Sequence, residues 1–579
     1  MASIDTSHTT VFKRLWGLLR AEKRNIYYIY FYSVVSGLLY LSLPIGIQAI
    51  VSLMFAQELS ASLIILIALV IAGVFLNGFM YILQMRVSER IQVRLFTLIS
   101  LSYSDRLPKL QQEAINDYHL PELVNRFFDT ASIQKGIAKL LLEVPVATIQ
   151  ILFGLTLLSL YHPVFIFFGI LLMFVLYLVL KYTIPQGIQT SMEESDYKYK
   201  VGFWMEEVAR NIKTFKLRGK TDFAIHRTNE QLMGYIQVRK KHFRVLETQF
   251  WLFIFFKTAV TLILLIIGCW LFFSNKINIG QFIATEIVII MTLSSVEKII
   301  TSMEGLYDFL TALEKTSKVL DNPIEEFHPT YTEPISRMDI SLHNVSFRYT
   351  EKSKQILNNI NLSVKQGEKI AIIGSRGAGK SSILQLLTGA YTQYDGSIMV
   401  NNIPFFSYDV YELRRRIGAY FSESEIFEGS LIDNLQVGSL NCPPDEIMQL
   451  AGEIGLKEFI LKHKDGIYQH LSTQGIKLAE STRAKILLGR ALLKRPNLLL
   501  LDDFTYLLNK KDKKLLLNYL FNEKTTYTLM IKTSNEDIMR LCDRIIFMHE
   551  GRILADGSFD EISKTTEYQQ LCDDLADIK

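Results

Sequence analysis

Six apolar stretches, each long enough to cross a lipid bilayer as a helix, occupy the first half of this chain of 579 residues. A spanning helix needs about 20 predominantly apolar residues. The stretches cover roughly 26–54, 62–84, 137–160, 163–184, 249–273 and 278–301. No stretch after residue 310 is long and apolar enough to span. The first half is therefore predicted to be an all-α bundle of six membrane-spanning helices in a lipid membrane.

Basic residues are unevenly distributed around these stretches. The gaps after the second and fourth stretches are long, and the other gaps are short. Lysine and arginine crowd both long gaps and the segment before the first stretch, whereas the short gaps hold almost none beyond Lys276. Because positive segments stay in the cytoplasm, both termini and both long gaps are predicted to be cytoplasmic, in a bacterial inner membrane. The basic runs are interpreted as topology determinants, so no nucleic-acid partner is predicted.

Two ionisable side chains fall inside apolar stretches, Lys257 in the fifth and Glu286 in the sixth. Charges at such depth usually face a cavity or a charged partner. Their depths differ by roughly 10 Å at the helical rise per residue, so a direct pair between the two is not expected. Glu286 is a candidate for a cavity-facing group, and the alternative is an interfacial carboxylate near the outer leaflet.

One glycine-rich stretch in the second half predicts binding of a nucleoside triphosphate. It matches the phosphate-loop pattern G-x-x-x-x-G-K-[ST] at every fixed position, and a buried strand precedes it while a helix follows. Glycines let backbone N–H groups point at an anion. Lys380 is predicted to reach the β- and γ-phosphates and Ser381 to hold Mg²⁺. The predicted binding residues of this stretch are Gly374, Ser375, Arg376, Gly377, Ala378, Gly379, Lys380, Ser381 and Ser382.

The order of these features predicts a multi-domain membrane protein. Strands alternate with helices from Met338 onward, which is typical of a doubly wound α/β nucleotide domain. The predicted divisions are a cytoplasmic N-terminus with an interfacial elbow helix over 1–25, a six-helix transmembrane domain over 26–310, a linker over 311–337 and an α/β P-loop domain over 338–579.

A six-span membrane half followed by such a cassette resembles an ATP-binding cassette (ABC) half-transporter of the exporter type, and the resemblance covers essentially the whole chain. Segments such as 43–48 and 126–129 are similar to the type I secretion and peptide-exporter branch. The resemblance implies export coupled to binding and hydrolysis of ATP, with Mg²⁺, of a peptide, a protein or a lipophilic compound. It also implies a second half-transporter as partner, and a membrane-fusion protein is a further candidate.

Family motifs assign roles to residues outside the phosphate loop. Tyr349 matches the aromatic residue that stacks on adenine. The apolar strand 498–501 is followed by Asp502, which matches the aspartate that holds Mg²⁺. Asp503 takes the place of the glutamate that supports the attacking water, and its side chain is shorter by about 1.5 Å, a displacement that can cost about 10²-fold in rate. Asp503 is therefore the predicted catalytic residue.

Other hydrolytic positions depart further from the family. Ser422 stands where the family has a glutamine, and Ser534 stands where it has the switch histidine, whose imidazole a hydroxyl cannot replace. The signature, usually Leu-Ser-Gly-Gly-Gln, is Leu478-Ala479-Glu480-Ser481-Thr482. Glu480 would place a carboxylate beside a triphosphate, where like charges repel. ATP binding is therefore predicted to survive better than hydrolysis.

Each ATP in this family lies between the phosphate loop of one subunit and the signature of the other, so this chain would weaken both sites of a dimer. A homodimer would have no intact site, which favours a heterodimer. The first hypothesis is a slow ATP-driven exporter half. The alternative is a nucleotide-binding, hydrolysis-deficient subunit that regulates or scaffolds a partner, and a ligand-gated channel has no support in the sequence.

Overall fold

The computed structural model describes residues 17, 20, 22–55, 61–115, 120–331, 333, 335–350, 353–422, 425–437, 442–523, 525–566, 568 and 569. Contacts divide the chain into two units, one within 1–109 and 118–322, the other within 110–117 and 323–579. Apart from residues 17 and 20, the predicted elbow segment before residue 22 lies outside the described residues.

The first unit is entirely helical, and it confirms the six predicted spans. Several of its helices are far longer than a bilayer needs: 46 residues rise about 70 Å, against a hydrocarbon core of about 30 Å. Apolar sequence therefore accounts for only part of each long helix. The helices of the first unit are α1 Lys23–Tyr40, α2 Ser42–Phe55, α3 Ala61–Arg106, α5 Leu120–Asn125, α6 Thr130–Tyr161, α7 Val164–Arg210, α8 Ile212–Leu217, α9 Phe223–Phe273 and α10 Ile279–Leu320. The short helix α4, Gln112–Ile115, belongs to the second unit.

Three polar side chains inside the helical bundle are hydrogen-bonded to one another. Tyr307 of α10 is fully buried, and its hydroxyl accepts a hydrogen bond of 2.6 Å from Gln249 of α9. The same amide donates to the hydroxyl of Thr183 at 2.7 Å. A Cβ at Gly187 would lie 2.3 Å from the Tyr307 ring, so this glycine is what allows α7 and α10 to approach there. Pairing buried polar groups avoids the cost of leaving them without hydrogen bonds.

The two charges predicted inside the spans have different surroundings. The ammonium of Lys257 lies 3.0 Å from the carboxylate of Glu297, one helix away, so its partner is not Glu286. Within the described residues, Oε1 of Glu286 is buried and accepts no hydrogen bond. The cavity-facing role of Glu286 stays a prediction.

The second unit is an α/β domain built on two larger sheets. An antiparallel sheet has the order β2-β1-β4-β5, a six-stranded sheet has the order β12-β11-β3-β10-β9-β6, and β7 pairs with β8. The strands are β1 Ile340–Phe347, β2 Leu357–Val364, β3 Lys369–Gly374, β4 Asp395–Val400, β5 Ile403–Pro404, β6 Ile417–Tyr420, β7 Gly429–Ser430, β8 His470–Leu471, β9 Leu498–Leu501, β10 Thr528–Lys532, β11 Arg544–His549 and β12 Arg552–Gly557.

The helices of this unit are mostly short. They are α11 Lys380–Leu386, α12 Val410–Arg416, α13 Leu431–Gln436, α14 Pro444–Glu453, α15 Lys457–Lys462, α16 Glu480–Leu493, α17 Lys510–Leu520, α18 Glu536–Met539 and α19 Phe559–Ile562.

The strand order determines where the site forms. Strands β6, β9, β10, β3 and β11 run parallel, and β12 runs antiparallel at the edge. Strand β10 lies between β3, which leads into the phosphate loop, and β9, which leads into Asp502. Because the carboxyl ends of parallel strands meet at one edge, the residue that ends β10 is placed between these two motifs.

Candidate nucleotide-binding site

The phosphate loop adopts a conformation that requires its glycines. Gly377 has φ 78° and Gly379 has φ 91°, backbone angles that L-residues with a Cβ rarely adopt. A Cβ at Gly374 would lie 2.0 Å from the carbonyl oxygen of Met548. Helix α11 begins at Lys380 directly after the loop, so a helix N-terminus and loop N–H groups converge as an anion site needs.

Lys380 is held inside this loop. Its Nζ donates to the carbonyl oxygens of Gly374 at 2.8 Å and Ser375 at 2.5 Å. Burial lowers the pKa of Lys380 to about 8, the nearby charge of Lys532 lowers it further, and Asp502 opposes both. An incoming triphosphate would stabilise the charged form of this lysine.

The predicted adenine platform is anchored to the helix that follows the loop. The hydroxyl of Tyr349 lies 2.8 Å from the hydroxyl of Ser382 and donates to Oε1 of Gln385 at 3.0 Å. Its ring packs edge-on against Phe347 and Tyr391. The structure therefore brings Tyr349 and Ser382 together, and the stacking role of Tyr349 stays a prediction.

An ammonium group lies between the two predicted metal ligands. Nζ of Lys532, at the end of β10, lies 2.6 Å from Oδ1 of Asp502 and donates to the hydroxyl of Ser381 at 2.9 Å. Asp502 is almost fully buried, with its side chain 7% exposed, whereas the Lys532 side chain is 28% exposed. The lysine therefore reaches the buried carboxylate from the more open side of the site.

The remaining contacts of Asp502 come from its own neighbourhood. Its Oδ1 also accepts the backbone N–H of Asp503 at 2.8 Å, and its Oδ2 lies 3.5 Å from the hydroxyl of Ser422. No group of three or more His, Cys, Asp or Glu that could hold a metal occurs in the described part of the chain. Ser381 and Asp502 both contact the ammonium of Lys532, so a divalent ion could bind between them only if this side chain moved away.

The carboxylate of Asp503, the predicted catalytic residue, accepts hydrogen bonds from a residue two positions later in the chain. Oδ1 of Asp503 accepts two hydrogen bonds from Thr505, 3.1 Å from its backbone N and 2.9 Å from its hydroxyl. Ser422 and Ser534 are both exposed. At Ser422, Asp503 and Ser534 the departure from the family pattern is therefore a short or locally hydrogen-bonded side chain. The catalytic role of Asp503 stays a prediction.

The signature segment forms the start of helix α16. Ala479 takes the N-cap position, where it makes no side-chain hydrogen bond, and Glu480 lies in the first turn. Both residues are exposed. A carboxylate in the first turn interacts favourably with the helix dipole and disfavours a second anion there.

Lys532 is a residue of this site that the family motifs do not predict. The signal for it is local: four buried residues, 528–531, precede a cation at the end of a central strand. A charge at that position needs a partner, but only the strand order shows that the partner is Asp502.

Comparison with known proteins agrees with both halves of this architecture. The ABC transporter transmembrane region matches residues 26–296, and the ABC transporter domain matches residues 357–506. The chain belongs to the ABC transporters, with a transmembrane region followed by an ABC transporter domain.

The similar proteins include exporters of toxins. The alpha-hemolysin translocation ATP-binding protein HlyB of Escherichia coli is 28% identical over 309 residues, 53% of this chain and 44% of that protein. The leukotoxin export ATP-binding protein LtxB of Aggregatibacter actinomycetemcomitans is 28% identical over 306 residues, with 53% and 43% covered. The chain thus matches less than half the length of these relatives. A structure of a bacterial Atm1-family ABC exporter with ATP bound has the same fold, with a TM-score of 0.83 at 18% identity, covering 95% of this chain and 98% of that one.

Proposed function

We propose that this chain is the ATP-binding half of a dimeric exporter, in which nucleotide bound by the cassette moves a substrate across a bacterial inner membrane. The observation that carries the proposal is the phosphate loop around Lys380, in a chain that also has six candidate spans. The distribution of basic residues supports cytoplasmic termini. The names of the toxin-exporting relatives support a peptide or protein substrate, and a membrane-fusion protein is then a further partner.

The dimer proposed here is a heterodimer. This chain contributes a phosphate loop to one composite site and its signature to the other, and both contributions are altered. The carboxylate of Asp503 is hydrogen-bonded to Thr505, and the signature helix begins with Glu480. A partner with an unaltered cassette would keep its own catalytic glutamate and histidine, so ATP turnover would depend mainly on that partner, and turnover at this chain's own loop would be slow.

A second candidate function is a hydrolysis-deficient regulatory subunit. It is favoured by the pair of Lys532 with Asp502, which occupies the predicted metal position. In that case nucleotide binding would stabilise the dimer without turnover at this site. The two candidates share ATP binding and differ in phosphate release at this chain's own loop.

The experiment uses the full chain in lipid nanodiscs. Binding of labelled ATP is measured for the native chain, for Lys380→Ala and for the control Lys511→Ala, whose exposed lysine pairs with Glu458 at 2.9 Å. The expected result is saturable binding that Lys380→Ala weakens strongly and Lys511→Ala leaves unchanged. Absence of binding by the native chain, or equal binding by Lys380→Ala, would refute the proposal.

Phosphate release then separates the two candidates. It is measured for the chain alone and for the chain together with a second half-transporter that has an unaltered cassette. Release that Lys380→Ala lowers in the presence of the partner supports the exporter half. Release that depends only on the partner's phosphate-loop lysine supports the regulatory subunit.

A further inference from the structure

We propose that Lys532 supplies, from within the polypeptide, the positive charge that a divalent metal would otherwise bring, so that this cassette binds ATP without Mg²⁺. This inference rests on the proposed ATP binding. It adds a binding residue that the family motifs do not predict, and it removes the metal requirement that they imply.

The first step is that the ammonium of Lys532 lies where Mg²⁺ would have to bind. Mg²⁺ holds its oxygen ligands at about 2.0–2.1 Å in a near-octahedral shell. The two oxygens predicted to hold it, on Ser381 and Asp502, lie 2.9 Å and 2.6 Å from the same ammonium nitrogen. A cation between them would have to displace Lys532, and the second ligand is buried and already neutralised. The ammonium and the metal are therefore alternatives at one position.

The second step concerns what the ammonium can still do. An ammonium has three N–H donors, and within the described residues Lys532 uses them toward two acceptors, Asp502 and Ser381. One donor remains on a side chain that is 28% exposed. Ser381 belongs to the same loop whose N–H groups are expected to hold the phosphates. The remaining donor therefore has a phosphate oxygen as its natural acceptor.

The third step concerns how firmly the charge is held. Lys532 ends a strand that is hydrogen-bonded on both sides, to β3 through the pair with Ile372 and to β9 through the preceding residues. The backbone at this position is thus fixed, unlike that of a surface loop. Lys380 contacts the carbonyl oxygens of Gly374 and Ser375 and Lys532 contacts the hydroxyl of Ser381, so both ammonium groups lie against the phosphate loop.

The consequence is binding separated from turnover. In phosphoryl transfer the metal bridges the β- and γ-phosphate oxygens and neutralises the charge that develops there. A single ammonium tied to Asp502 carries half the charge of Mg²⁺ and cannot bridge in the same way. The carboxylate of Asp503, which is hydrogen-bonded to Thr505, is a second feature that favours binding without turnover.

The test measures the dissociation constant for ATP with the full chain in nanodiscs, in excess EDTA and in excess MgCl₂. For the native chain we expect the two values to agree within about threefold. For Lys532→Met we expect binding in EDTA to weaken by about 10- to 100-fold, the loss typical of a charged hydrogen bond. Mg²⁺ should restore it, because Ser381 and Asp502 are then free to bind the ion.

Two control variants show whether the charge itself is responsible. Lys532→Arg keeps the charge and should keep metal-free binding. Lys511→Met removes a surface lysine from an ion pair with Glu458 and should change neither value. If Lys532→Met does not fold, the native comparison and Lys532→Arg still decide the question.

Three outcomes would overturn the inference. ATP binding by the native chain only with Mg²⁺ would refute it while leaving the proposed function intact. Metal-free binding that Lys532→Met leaves unchanged, with only a lower unfolding temperature, would make Lys532 a structural partner of Asp502. No binding of ATP with or without Mg²⁺ would refute the proposed function as well.

Discussion

Asp503 and Thr505 form a closed pair at the edge of the nucleotide site: one carboxylate oxygen of Asp503 accepts both the backbone N–H and the hydroxyl of Thr505. The carboxylate is therefore directed into its own turn. A general base must be within hydrogen-bond reach of the water that it activates, so we expect this pair and the ammonium of Lys532 each to slow hydrolysis at this site.

Restoring hydrolysis should consequently take more than the family's usual residues. We expect Asp503→Glu combined with Ser534→His to raise phosphate release little while Lys532 is present. Adding Lys532→Met should raise Mg²⁺-dependent release by about 10- to 100-fold over the double variant. Steady-state phosphate release by the chain with its partner measures this, and Lys380→Ala in the triple variant provides the background. A double variant as active as the triple variant would contradict the prediction.

The signature helix offers a test of electrostatics across the dimer. Removing the negative charge in Glu480→Gln should strengthen ATP-induced association of the two halves several-fold, because a carboxylate near the facing triphosphate repels it. The gain should shrink as salt is added. Cross-linking of the two halves against ATP concentration measures it, with Glu458→Gln as a control for the loss of an exposed carboxylate. An unchanged ATP dependence would place Glu480 away from nucleotide.

Lys369 should make the stability of the protein rise with pH. Its ammonium is buried, donates to Thr525 and to the carbonyl of Tyr527, and lies 4.0 Å above the Tyr527 ring. Burial lowers the pKa of Lys369 from 10.5 to about 8, with Asp543 and Cys542 opposing. Between these values the unfolded chain binds more protons, so the free energy of unfolding gains at most about 3 kcal/mol as pH rises through this window.

Lys369→Met should remove that pH dependence. Thermal unfolding of the full chain between about pH 7.5 and 10, roughly the range between the folded and unfolded pKa values of Lys369, measures this pH dependence. Lys511→Met, which changes an exposed lysine, should keep the native slope. A slope in Lys369→Met equal to that of the native chain would contradict the assignment.

Arg414 and Glu325 form a two-point ion pair in the second unit. Nη1 and Nη2 of Arg414 contact the two carboxylate oxygens of Glu325 at 2.6 Å and 2.8 Å, and Nη2 also donates to the carbonyl of Gly389. Glu325 is 7% exposed. Glu325→Ala leaves the Arg414 guanidinium, which is 27% exposed, without its charged partner, so it should lower the unfolding free energy by about 1–3 kcal/mol.

The control variant is Glu412→Ala. The partner of Glu412 is Arg415, which is largely exposed. Surface pairs contribute about 0–1 kcal/mol. Denaturant unfolding of both variants should therefore separate them clearly, and equal losses would show that burial does not strengthen the Glu325 pair.

Sequence reasoning was most successful where one physical requirement determines the pattern. Spanning a bilayer requires long apolar helices, and all six candidate spans were predicted. The glycines of the phosphate loop were predicted because a backbone at positive φ requires them. The position of Lys532 was not predictable in this way. Its partner lies 30 residues earlier, and only the insertion of β10 between β3 and β9 brings the two together.

The contacts of the charged residues in the spans were equally difficult to predict from the sequence. Depth along the helices already argued against a pair of Lys257 with Glu286, and the structure agrees. That the partner is Glu297 depends on helix rotation, on which the apolar spacing of a spanning helix carries little information. The local bonding of Asp503 depends on a turn of two residues, which no motif describes.

Strand β10 makes the charge of Lys532 a permanent part of the protein. A bound ion leaves at a rate set by its affinity, and its occupancy follows the supply of free divalent ions in the cell. A lysine anchored between two neighbouring strands has no such exchange. The occupancy of this cassette would then respond to the level of ATP alone, even when magnesium becomes scarce.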